Sequence, residues 1–175
     1  MTSIDPAEVV RVDAALIGDE RAMLDQWLDY HRATLLMKCA GLGAEQLRAR
    51  SCPPSTLSLL GLVRHLTDVE RGWFLRGVAG RPSAEVPPLY YSDDNPEGDF
   101  DDVDEADPAA VLATYRGACD EIRAATAGAD LDRTFGNGDD ATSVRWVYFH
   151  MLEEYARHNG HADLLRQRID GATGD

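Results

Sequence analysis

The chain has 175 residues, 44% of them hydrophobic and 27% charged, the profile of a soluble globular protein with enough chain for one core and too little for two ordinary domains. Seventeen basic residues face thirty-one acidic ones, a net charge of −14, which excludes a nucleic-acid or anionic-lipid binder of the usual cationic kind. No apolar run approaches the ~18 residues of a membrane span, and Met1-Thr2-Ser3-Ile4-Asp5-Pro6 lacks the basic and apolar regions of a secretory signal, so a cytoplasmic protein is expected.

Lys38 is the only lysine and every other basic residue is arginine, a bias that fits a GC-rich genome. Cys39, Cys52 and Cys119 form no close pair; an odd number without a secretion signal reads as reduced thiols, most simply as small buried apolar residues.

The first predicted helix covers about 19–41, where Leu24, Leu28, His31, Leu35, Cys39 and Leu42 recur at spacings of three and four. Gly41-Leu42-Gly43 stops it, a short turn follows at 44–50, and Pro53-Pro54 breaks the chain. Ser58 is the predicted N-cap of a second helix running to about 78, with Leu59, Leu62, Leu66, Val69 and Trp73 on its apolar face.

Residues 79–107 hold four of the eight prolines, and Ser92 to Asp107 hold nine acidic residues and no basic one. Such a stretch is expected to bury no core and to cross between helices as an irregular, partly mobile acidic loop. Asp99, Asp101, Asp102 and Asp104 lack the spacing and central glycine of a calcium-binding EF-hand, so a solvated loop is the expectation.

Asp107-Pro108, a capping acid followed by proline at the first helical position, opens a third helix to about 127. Its inward residues are Leu112, Tyr115, Cys119, Ile122 and Ala125, and Gly128 ends it. Residues 129–141 read as a loop with room for a small hairpin. The fourth helix starts near Thr142 or Ser143 and ends at about 169, with Gly171 beyond it. Four amphipathic helices of about 20 residues make an all-α protein, a four-helix bundle with a long crossover between helices two and three, in a single domain over 1–175.

The chemistry concentrates in Glu153-Glu154-Tyr155-Ala156-Arg157-His158-Asn159-Gly160-His161. At about 100° per residue, Glu154 and His158 fall within the apolar stripe formed by Val144, Val147, Met151, Tyr155, Ala162, Leu165 and Ile169. His150 and His161 fall at its edge and Glu153 outside it. A carboxylate on a core face is costly unless paired or metal-bound. Two donors at i, i+4 project to one point, as in zinc-binding helices, although the same spacing also makes an ordinary helix ion pair. A third donor is expected from a facing helix, and His65 is the candidate, at the margin of the apolar face of helix two. His31 competes with His65, and His150 or His161 can replace Glu154. A set of His65, Glu154 and His158 would leave coordination positions open, as in catalytic zinc sites.

These features resemble the DinB-like superfamily of metal-binding four-helix bundles. The resemblance rests on Leu59-Leu60-Gly61-Leu62-Val63-Arg64-His65-Leu66 early in helix two, the long crossover, and Glu154-Tyr155-Ala156-Arg157-His158-Asn159-Gly160-His161 against the last-helix pattern H-x-x-x-H-x-G-Q. It covers nearly the whole chain, to about Asp170. It implies that His65 and His158 are metal ligands and that Glu154 stands where many members have histidine. That glutamate resembles the mycothiol-dependent maleylpyruvate isomerase branch, in whose N-terminal domain two histidines and a glutamate hold zinc. His161 stands where many members have glutamine, and Arg157 to Leu165 look most like an actinobacterial branch of unassigned function. Mycothiol, the small thiol of actinobacteria, agrees with the arginine bias.

The expectation is therefore a divalent-metal-dependent enzyme. Zinc suits imidazole and carboxylate best, with nickel, iron or manganese open. The reaction expected is thiol-dependent transfer or isomerisation on a small electrophile, with mycothiol as the thiol. The other reading is a non-catalytic metal-binding protein of a stress or sensor type. The partners expected are a small-molecule substrate or thiol, with a homodimer left open. Arg157 projects beside the ligand stripe and reads as a solvated salt bridge.

Overall fold

A computed structural model describes residues 4–173; Met1, Thr2 and Ser3 of the leader reading lie outside the described residues. A short 3-10 turn at Pro6–Glu8 precedes α1, Glu20–Cys39, which starts where Asp19 accepts a hydrogen bond from the Ala22 amide. After α2, Ala44–Arg48, the Ser58 hydroxyl accepts from the Gly61 amide at 3.0 Å and opens α3, Leu59–Glu70. The same rod continues without a break as a π-helix, Arg71–Val78, in which Ala79 donates to the carbonyl of Phe74, five residues back. The crossover holds one turn of helix, α4, Gly98–Asp101. Then come α5, Pro108–Thr126, capped by Asp107, and a two-residue antiparallel ladder of β1, Thr134–Phe135, with β2, Thr142–Ser143, in which Thr134 faces Ser143. Ser143 caps α6, Val144–Asp170.

The chain is all-α apart from that ladder. α1 packs along α6 and α3 along α5, and α3 also meets α6 and α1. Each long helix contributes its predicted stripe: Leu28 and Leu35, Leu62 and Leu66, Leu112 and Ile122, Val147 and Met151 are all buried in one contiguous core. Burial of each such side chain stabilises the fold by roughly 1.5–3 kcal/mol. No helix among the described residues is long and apolar enough to cross a membrane.

Inside this core lies a polar network with one residue from each long helix. Arg32 of α1 meets both carboxylate oxygens of Glu70 of α3, with Nε donating to Oε1 at 2.7 Å. Tyr155 of α6 donates to the same Oε1, and Tyr115 of α5 lies 2.8 Å from the Tyr155 hydroxyl. Glu70 is 1% exposed, so its charge is tolerable only because a guanidinium and a phenol saturate it. Arginines serve the periphery as well. Arg166 donates to the carbonyls of Lys38 and Ala40, and Arg21 to those of Thr126 and Ala129, so neighbouring helices satisfy the C-terminal carbonyls of α1 and α5.

The crossover corrects the expectation of a solvated acidic loop. Val86, Phe100 and Val103 are buried within it, and so is Asp99. Three consecutive turns of α3 hold it down. The buried Asp68 carboxylate accepts the amides of Leu89 and Tyr90; Arg64 donates to the Gly98 carbonyl and lies over the Tyr90 ring; and Gly61 admits the Phe100 ring, which a Cβ there would meet at 2.9 Å. Burial raises the Asp68 carboxyl above its usual range, against the pull of the two amides. The acids that do face solvent are partly paired, Asp104 with Arg50 and Asp102 with Asn95.

Candidate metal and thiol site

α3 and α6 together present a column of imidazoles and one carboxylate. On α6, His150, Glu154 and His158 follow at intervals of four and lie on one face. Glu154 Oε2 is 3.1 Å from His158 Nε2, while its other oxygen is 3.8 Å from His150 Nε2. From α3, His65 faces this column, with its ring centroid 4.8 Å from that of His158. One ligand atom from each of His65, Glu154 and His158 lies within 4.8 Å of the other two. These three residues are thus brought together from α3 and α6; the i, i+4 spacing anticipated the approach of Glu154 to His158, and His65 was the facing-helix candidate with which His31 competed.

Their environment suits a cation. The side chains of His65, Glu154 and His158 are 26%, 20% and 11% exposed, deep enough to limit water and open enough to admit a ligand. His65 Nδ1 is 2.7 Å from Asp99 Oδ2, so Nδ1 carries the proton and Nε2 is left as a lone-pair donor. The Phe100 ring packs 5.2 Å from His65 and holds its other face. On His158, Nδ1 is buried with no hydrogen-bond partner. Burial, and then the neighbouring His65, hold the His158 imidazole down at about 4, against the opposing pull of Glu154, so it is a neutral donor at physiological pH. A buried imidazole lacking a partner, beside a carboxylate and a carboxylate-oriented imidazole, is a donor set that fits a divalent metal.

Of the alternatives, His31 falls elsewhere, whereas His150 and His161 flank the trio. His31 hydrogen-bonds with Asn159 and stacks on Tyr155, and burial lowers its pKa; it belongs to no group of converging ligand atoms among the described residues. His161 lies beside His158, 5.4 Å between ring centroids, and its Nδ1 is also buried without a partner. His150, with Glu153 and Glu154, forms a second converging group, but Glu153 is exposed and paired with Arg157, the solvated bridge expected of that arginine.

Three contributors to the site escaped sequence reasoning. Asp99 was hidden among the nine acids of its segment, and the one clue was the apolar Phe100 beside it. Trp73 and Trp146 wall the column at His150: Trp146 stacks on the imidazole at 4.8 Å and Trp73 meets it edge-on at 4.9 Å. A cavity of about 580 Å³ between α1 and α5, lined by Tyr30, Arg32, Tyr115, Arg116 and Cys119, contains none of these residues, whereas one of about 370 Å³ opens along α3 beside Trp73.

Cys39 and Cys119 are buried, and burial pushes both thiols up to about 12. Neither is a nucleophile near neutral pH.

The family model described as mycothiol-S-transferase matches residues 23–171, which takes in all four long helices apart from the first turn of α1. No curated protein and no solved structure matches the chain.

Proposed function

The chain belongs to the mycothiol-S-transferase family, a DinB-like family, and on that premise we propose that it is a divalent-metal-dependent enzyme joining the sulfur of mycothiol to a small electrophile. In this reading α1, α3 with its π-helical extension, α5 and α6 form a four-helix bundle within one domain, and the enzyme works in the cytoplasm. His65, Glu154 and His158 hold the metal. The observation that carries the reading is their convergence within 4.8 Å from two helices.

The metal when bound supplies positive charge that favours thiolate over thiol near neutral pH. Everything else falls to the chain. Asp99 fixes the His65 tautomer through Nδ1. His158 is kept neutral by burial and so offers a lone pair without first losing a proton. Glu154 brings one negative charge, which makes the centre less positive than three histidines would. Trp73 and Trp146 pack against the His150 ring and fix its position. The buried cysteines leave the nucleophile to come from outside. In the reaction, the thiol loses its S–H proton to solvent, its sulfur forms a new C–S bond as a C=C π bond or an epoxide C–O bond of the electrophile breaks, and the carbanion or alkoxide so formed takes a proton from solvent.

The test measures thiol addition to a panel of electrophiles with mycothiol, glutathione or no thiol, using metal-loaded and chelated protein. The expected result is saturable acceleration that requires both metal and mycothiol. Absence of thiol binding to the loaded protein overturns the reading in favour of a non-catalytic metal-binding protein.

A further inference from the structure

Among the described residues, ligand atoms converge in two places, and the second has no part in the function proposed above: His150, Glu153 and Glu154, with one ligand atom each within 4.8 Å of the others. The three stand at i, i+3 and i+4 on α6. At about 100° per residue the two carboxylates leave the helix on either side of the imidazole, so a single turn aims all three at one point.

Glu154 belongs to both groups. Its Oε2 lies 3.1 Å from His158 Nε2, and its Oε1 lies 3.8 Å from His150 Nε2. A carboxylate that turns one oxygen to each of two imidazoles has the disposition of a ligand shared by a two-metal centre. The His150 ring is held in place for that role. Trp146, one turn before it, stacks on it with planes 11° apart, and Trp73 of the π-helix meets it edge-on at 4.9 Å. π-Helical turns are rare and gather where a side chain is re-aimed for function. The His150 side chain is 23% exposed, and its Nε2 makes no hydrogen bond among the described residues. Packing fixes the ring and leaves the nitrogen unused.

Two effects oppose an ion at this place. Arg157 pairs with Glu153 and has to be displaced, but both side chains are at least half exposed, so the pair is weak. An ion already bound by the first group also repels a second, in partial balance with the chain's net charge of −14. One imidazole with two carboxylates is a harder donor set than two imidazoles with one carboxylate, which suits manganese(II) better than zinc.

We propose that α6 carries a second, weaker metal site made of His150, Glu153 and Glu154, which takes a hard divalent ion such as manganese(II) and shares Glu154 with the His65–Glu154–His158 site. This rests on the metal reading of that trio. The second ion is lost when the protein is purified and returns when it is supplied in excess.

The test starts from zinc-loaded protein freed of excess zinc and titrates it with manganese(II), which stands below zinc in affinity and so leaves the bound zinc in place. The EPR signal of the free aqueous manganese ion measures binding, and elemental analysis follows the zinc. One manganese should bind per chain with the zinc content unchanged. His150→Phe, which keeps an aromatic ring between the tryptophans, and Glu153→Gln should each weaken manganese by at least about tenfold, the loss that even an outer-shell partner causes, and leave the zinc in place. Glu153 is exposed, so its variant tests the site even where His150→Phe folds poorly. Arg157→Gln should tighten manganese roughly 1.5- to 5-fold, because it removes the competitor for Glu153. Absence of manganese binding, or replacement of the zinc ion for ion, overturns the second site and leaves the first intact. Binding that neither His150→Phe nor Glu153→Gln weakens assigns the manganese to the acidic surface and overturns the second site too. A chain that holds no zinc overturns the metal reading of the trio itself.

Discussion

Asp99 Oδ2 and His65 Nδ1 lie 2.7 Å apart across a sequence separation of 34 residues. The contact makes the crossover part of the proposed metal site, because one end of the imidazole is fixed by α4 and the other is turned toward Glu154 and His158. Asp99→Asn keeps the shape and removes the charge that orients the ring. Metal affinity, measured by competition with a chromophoric chelator, is expected to fall about 10- to 100-fold while the helical content stays constant. Unchanged affinity would show that the ring is held by Phe100 alone.

His158→Ala and Glu154→Gln each remove one of three proposed ligands. Elemental analysis of purified protein should find about one divalent transition metal per wild-type chain and strongly reduced content in both variants. Glu153→Gln is the control. Its carboxylate is exposed and paired with Arg157, so the metal content should not move. If Glu153→Gln and Glu154→Gln act alike, the wrong face of α6 has been assigned.

Acid should act on the metal-free protein through His158. Its folded-state value of about 4 lies below the 6.5 of an ordinary histidine, so the unfolded chain takes up this proton first as pH falls. The stability held in the neutral imidazole is complete above about pH 6.5 and is lost progressively between there and pH 4. Urea unfolding of chelated protein at several pH values should show a His158→Gln variant losing less stability across that window, by on the order of 2 kcal/mol. Parallel curves for the two proteins would contradict the depressed value.

The buried pair of Arg32 and Glu70 makes a different prediction. Arg32→Met leaves the Glu70 charge in the core with only a phenol beside it, and about 3–5 kcal/mol of stability should be lost in denaturant unfolding. The double variant Arg32→Met, Glu70→Leu should recover most of that loss, because no buried charge is then stranded. Additive losses would mean that the pair is not coupled.

The long helices were legible because each carries one stripe with a 3.6-residue period and an unambiguous start: Asp19, Ser58, Asp107-Pro108 and Ser143 all act as caps. The approach of Glu154 to His158 was legible for the same reason, since polar residues on an apolar stripe need a partner, whereas His65, at the margin of its helix face, was one of two candidates beside His31. Three features were not. Periodicity follows α3 correctly to Glu70, but the π-helix then takes more residues per turn, and Phe74, Leu75 and Val78 are buried while Trp73 turns toward His150. Glu70 lies on the apolar face of α3, four residues after Leu66, but its partner Arg32 is on another helix and no one-helix pattern names it. Asp99 has no periodic signal at all, since a single turn of helix is too short to give one.

The four-helix network ends in a constraint on how this chain can vary. Arg32, Glu70 and Tyr155 share one set of hydrogen bonds, and Tyr155 is the immediate neighbour of Glu154. Exchange at position 32 or 70 alone passes through an intermediate with an uncompensated core charge, whereas joint exchange does not. Among related sequences the two positions should therefore co-vary, keeping the guanidinium–carboxylate pair or losing it in one step. Lineages that lose it should be those in which the Glu154–His158 half of the site has also been released from selection.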